Sequence, residues 1–69
     1  MKIKVNGEER SIEKETLTIS TLLDSENVKM PEMVSVEYNG EMLERENFST
    51  QSLKDGDVVE FLYFMGGGN

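Results

Sequence analysis

Two Asn-Gly pairs, Asn6-Gly7 and Asn39-Gly40, each sit between short runs of alternating apolar and polar residues. Asn-Gly is the strongest short-range hairpin signal, because both central positions of a type I′ turn need positive φ. The chain must therefore accommodate two hairpins. In the first, Met1, Ile3 and Val5 alternate with Lys2 and Lys4, the period-2 pattern of a half-buried strand. Residues 8–13 return as a more polar strand with Ile12 as its clear apolar residue. In the second, Val34, Val36 and Tyr38 share a face, and residues 41–43 form a short return strand.

Between the hairpins lies a helix signal. Thr18 is a suitable N-cap, and Ile19, Leu22 and Leu23 follow at helical spacing. Val28 closes the same apolar face. A helix of two or three turns cannot stand alone and needs a sheet beneath it. Pro31 marks a connection. Residues 44–54 are polar, with Phe48 and Leu53 as anchors into the core. Asp55-Gly56-Asp57 is a turn, and residues 58–65 form the longest apolar run, interrupted by Glu60. Such a strand belongs in the middle of the sheet, parallel to the first strand, because a helical crossover returns the chain to the same end. The expected fold class is α+β: a mixed four- to five-stranded sheet with one main helix on one face.

That helix leaves the other face of the sheet bare. Val59, Phe61 and Tyr63 form one set on the last strand, and Val58, Glu60, Leu62 and Phe64 form the other. An unpaired buried carboxylate is costly, so Glu60 marks the second set as outward. Leu62 and Phe64 then make a small exposed apolar patch suited to docking a partner, with Glu60 beside it.

Composition excludes most chemistry. The 69 residues contain no Cys and no His. Disulfides, thiolate nucleophiles and zinc-thiolate sites are absent, as is the usual proton shuttle near neutral pH. There is no Walker-type phosphate loop, and no nucleophile stands with a base. The chain is not expected to be an enzyme. Fourteen acidic residues against seven basic ones give a net charge of −7. That argues against nucleic acid and favours a partner with a basic patch. Most carboxylates, including Asp55 and Asp57, read as solvated turns and polar faces, and two carboxylates in a turn are weak evidence for a metal. No apolar run approaches a membrane span and no signal-peptide pattern is present. The expected location is the cytoplasm.

Half of the glycines lie together near the end: Gly66, Gly67 and Gly68, followed by Asn69. Consecutive glycines lose the most backbone entropy on ordering and bury no side chain, so residues 66–69 are expected to be a flexible tail. A thread without side chains can enter a narrow channel where any Cβ would clash. A terminal glycine carboxylate is unhindered, and another enzyme can act on it.

The order of elements, the Asp55-Gly56-Asp57-Val58-Val59 junction and the Phe64-Met65-Gly66-Gly67-Gly68 segment together resemble the ThiS family of ubiquitin-like sulfur carriers, over essentially the whole chain. The resemblance implies a β-grasp domain over residues 1–65. It implies an ATP-dependent adenylating enzyme of the ThiF/MoeB type, which activates the terminal glycine, while the carrier itself binds no cofactor. A persulfide donor then supplies sulfur, giving a thiocarboxylate for a ThiG-like thiazole synthase in thiamine biosynthesis. Gly68 would carry the sulfur, with Gly67 and Gly66 as its slim neighbours. Leu62, Phe64 and Glu60 would fall on the docking side. The family's active form ends in Gly-Gly, whereas Gly68 here is followed by Asn69, so trimming by a peptidase is expected. Two alternatives stay open: a carrier for molybdopterin or for cysteine or homocysteine synthesis, and a β-grasp interaction domain that is never conjugated.

Overall fold

The computed structural model describes residues 1–63. Strands β1 (Lys2–Val5) and β2 (Glu8–Ser11) form the first hairpin, and α1 (Ile19–Ser25) follows. A 3-10 turn at Pro31–Met33 leads into β3 (Val34–Tyr38) and β4 (Glu41–Leu43). A second 3-10 turn, Arg45–Asn47, precedes β5 (Val58–Tyr63). The sheet order is β2-β1-β5-β3-β4. The last strand is central, parallel to β1 and antiparallel to β3, as its apolar sequence requires. This is the β-grasp arrangement, with all five strands in one sheet.

Both Asn-Gly turns have the backbone their sequence demands. Asn6 and Gly7 have φ of 53° and 83°, and Asn39 and Gly40 have 52° and 88°. β2 is shorter than the sequence suggests and ends at Ser11. Beyond it the Ile12 N–H still donates to the Met1 carbonyl at 2.8 Å, and Ile12 packs half-buried against the core.

Helix α1 has seven residues, about two turns. Thr18 caps it: its Oγ1 accepts from the Thr21 N–H at 3.2 Å. Two further N-terminal donors find carbonyls in the irregular segment. The Ile19 N–H donates to Gln51 at 3.2 Å and the Ser20 N–H to Phe48 at 2.9 Å. Residues 44–54 thus close the helix terminus, satisfying groups that would otherwise be orphaned. Arg45 fastens this segment to the crossover. Its guanidinium donates to the carbonyls of Pro31 and Val34 and lies 5.2 Å above the Phe48 ring.

The core lies between α1 and one face of the sheet. Ile3, Val5, Ile19, Leu22, Val34, Val36 and Val59 are fully buried. Phe48 and Leu53 join them as anchors, and Leu17, which the helical spacing did not single out, is buried as well. The Leu53 N–H donates to the Leu17 carbonyl at 2.7 Å, which draws both side chains inward. No helix among the described residues is long and apolar enough to cross a membrane.

Leu22→Ala should cost about 2–5 kcal/mol, the range for buried leucines. Thr18→Ala, which removes one cap, should cost about 1 kcal/mol. Urea unfolding of both variants checks the ranking.

Candidate functional site

The site is built around β5, because the glycine segment continues from it in sequence. Four side chains, those of Asp55, Asp57, Asn6 and Asn39, set where this strand starts and how it is registered. Gly56, at φ 92°, allows the turn before it, and the Gly56 N–H donates to the Lys2 carbonyl at 2.7 Å. Asp55 Oδ1 accepts from the Lys2 N–H at 2.7 Å. The turn is thereby stitched to the first residue of β1.

The hairpin asparagines extend this stitching. Asn6 Oδ1 accepts from the Phe61 N–H at 2.8 Å, and Asn39 Oδ1 accepts from the Val58 N–H at 2.8 Å. Each asparagine therefore serves twice. It takes the left-handed backbone of its own turn and satisfies a donor on the central strand.

Asp57 corrects the sequence reading. Assigned above to a solvated turn, it is 4% exposed. Its carboxylate accepts from Tyr38 Oη at 2.7 Å, Asn39 Nδ2 at 3.2 Å and the Lys54 N–H at 2.9 Å. Lys54 Nζ lies 3.7 Å away. Burial pushes the Asp57 carboxyl up, but the donors, with Tyr38 first among them, outweigh it and hold its pKa below the usual aspartate value. Burial, followed by the bond to Asp57, raises the Tyr38 hydroxyl. Spacing alone gave no hint of this, because the partners lie on a different hairpin. The available signal was Tyr38, an inward tyrosine whose hydroxyl must find a partner. Among the described residues no group of three or more His, Cys, Asp or Glu is placed to hold a metal.

Glu60 is exposed and Leu62 half-buried on the face away from the helix. Val59 is fully buried on the other face, and Phe61 packs against the core from the same side. The side chain of Tyr63 and residues Phe64, Gly66, Gly67, Gly68 and Asn69 lie outside what the structure describes, as does the expected domain boundary at residue 65. The structure thus brings together Glu60 and Leu62 of the expected docking residues.

A model described as the ThiS family matches residues 3–68. The chain is 36% identical over 66 residues to the sulfur carrier protein ThiS of Bacillus subtilis, covering 96% of this chain and 98% of that protein. It is 35% identical over 69 residues to a thiazole synthase of Paramagnetospirillum magneticum, covering all of this chain and 21% of that protein. The chain therefore spans about a fifth of that relative's length. Among solved structures, the crystal structure of the thiamine biosynthesis protein ThiS from Geobacter metallireducens superposes with a TM-score of 0.90 at 51% identity, covering 99% of this chain and 100% of that one. The solution structure of a thiamine biosynthesis protein from the same organism gives 0.80 at 50% identity, covering 100% and 90%.

The Asp57 network predicts an acid-sensitive contribution to stability. A depressed folded pKa gives stability that is fully present above the unfolded value, about 3.9, and is lost as pH falls through the folded one. Asp57→Asn should destabilise the chain by about 1–3 kcal/mol at neutral pH, since it turns an NH2 group toward donors. The gap between wild type and variant should narrow as pH drops below about 4. Urea unfolding across that range measures it.

Proposed function

Because the chain belongs to the ThiS family of sulfur carriers, we propose that it donates sulfur for thiamine thiazole synthesis from a thiocarboxylate on Gly68. Members of this family are carriers and not enzymes, in keeping with a chain that has neither Cys nor His. The observation that carries the proposal is the extent of the family match, which runs to Gly68 and leaves Asn69 outside it.

The chemistry requires a free carboxylate. Hydrolysis of the Gly68–Asn69 peptide bond by a peptidase supplies it. A ThiF/MoeB-like adenylating enzyme joins a Gly68 carboxylate oxygen to the α-phosphate of ATP, and pyrophosphate leaves. The terminal sulfur of a persulfide attacks the acyl carbon and AMP leaves. A thiol then attacks the acyl disulfide, which is cleaved to the thiocarboxylate as the attacking thiol and the former persulfide sulfur form a disulfide. With no Cys in this chain, every thiol in the sequence comes from a partner. Gly66 and Gly67 bring the acyl carbon through a narrow channel without a Cβ to obstruct it. Glu60, Leu62 and Phe64 dock the enzymes. The acceptor is a ThiG-like thiazole synthase; the similarity of this chain to part of a protein of that name favours this pathway over molybdopterin or amino-acid synthesis.

Intact mass spectrometry of the chain from its native host tests the proposal. The expected species lacks Asn69 and carries sulfur in place of one carboxylate oxygen. Persistence of Asn69 during active thiamine synthesis overturns it. Gly68→Val should retain the circular dichroism spectrum and thermal midpoint of the wild type and lose all loading.

A further inference from the structure

The two Asn-Gly turns carry a chemistry that needs neither Cys nor His. An asparagine amide is an electrophile, and the backbone nitrogen of the next residue can attack its carbonyl carbon and close a succinimide ring. Glycine is the most permissive successor, because it has no Cβ to shield its nitrogen. Asn6, Gly7, Asn39 and Gly40 are all exposed. A Cβ placed at either glycine would meet nothing within 4 Å, so water reaches both turns. The other described asparagines, Asn27 and Asn47, precede Val28 and Phe48, whose side chains crowd the attacking nitrogen.

The sequence treats the two turns alike, and the fold does not. Their backbones are held similarly: the Asn6 N–H donates to the Val59 carbonyl and the Asn39 N–H to the Val58 carbonyl. Their amides differ. To react, an amide must turn its carbon toward the glycine nitrogen and leave the hydrogen bonds it makes. Asn6 has one to leave, from the Phe61 N–H to Oδ1, and among the described residues its Nδ2 has no acceptor. Asn39 is held at both ends, by the Val58 N–H on Oδ1 and by Asp57 Oδ1 on Nδ2. The second bond goes to a buried carboxylate, and bonds to an ionised acceptor are roughly twice as strong as neutral ones. It also restrains the nitrogen that would have to depart.

We propose that Asn6-Gly7 is a site of spontaneous covalent modification in the folded chain, and that Asp57 protects Asn39-Gly40 from the same reaction. The Gly7 nitrogen gives its proton to hydroxide and bonds to Asn6 Cγ. The Cγ–Nδ2 bond breaks, and ammonia leaves. Water then opens the succinimide at either carbonyl, giving aspartate or isoaspartate, and no oxidant or reductant is consumed. Aspartate keeps an oxygen for the Phe61 N–H. Isoaspartate runs the main chain through the former side chain and adds a methylene to a two-residue turn whose length sets the register of β1 and β2. Either product adds a negative charge to a chain that already carries −7.

Ageing the purified chain in warm neutral buffer, followed by peptide mapping by mass spectrometry, tests this. In the folded chain Asn6 should convert at least about tenfold faster than Asn39, the ratio expected from one extra bond to a charged group. In urea strong enough to unfold the chain, the two rates should converge. Asp57→Ala, kept where circular dichroism shows it folded, should speed Asn39 while Asn6 holds its wild-type rate. Leu22→Ala weakens the fold without touching Asp57 and should leave Asn39 slow. Equal rates at Asn6 and Asn39 in the folded wild type, or a faster Asn39, overturn the inference. An Asn6 that converts no faster than Asn27 and Asn47 overturns it as well. Leu22→Ala speeding Asn39 as much as Asp57→Ala removes the protective role given to Asp57.

Discussion

The last strand holds the two halves of the sheet together. β1 and β3 do not pair with each other, and each reaches the other through β5. The first hairpin and the second are therefore separate local structures until residues 58–63 enter between them. Register at that insertion matters more than anywhere else in the chain. A slip by one residue would turn Val59 outward and Glu60 into the core. Asp57, Asn6 and Asn39 oppose such a slip through bonds that a shifted strand could not make. The parallel β1–β5 pairing joins residues more than fifty positions apart, so the closing step carries the loop-entropy cost of non-local contacts.

The core around this strand is thin, as expected for a domain of this size. Much of its coherence comes from segments without regular structure. Residues 44–54 contribute Phe48 and Leu53, terminate the helix with two carbonyls, and are themselves held by Arg45. Polar closure is complete as far as it can be traced: among the described residues no buried side-chain nitrogen or oxygen lacks a partner. Asp57 is the test of that economy, since a buried carboxylate is tolerated when donors surround it.

Legibility in the sequence followed the range of the physics involved. Turns, the Thr18 cap and the alternation of β1 and β3 depend on neighbours within a few residues, and these were readable. The central place of β5 was readable because its apolar length leaves few other positions. The shortening of β2 was not, since its end is set by pairing with β1 and not by its own residues. Asp57 escaped for the same reason. A carboxylate in an Asp-Gly-Asp turn looks solvated until Tyr38 and Asn39 are brought over it by the second hairpin.

The position of β5 also has a mechanical side. Tension applied to the chain beyond Tyr63 runs along a strand bonded on both edges, to β1 and to β3. Such a load shears two ladders of hydrogen bonds at once, where an edge strand pulled sideways would open them one after another. Two asparagine side chains in neighbouring turns, Asn39 and Asn6, accept hydrogen bonds from the strand's first residue and its middle and add to that resistance. A domain anchored in this way can bear repeated pulls on the chain beyond Tyr63 and still remain folded.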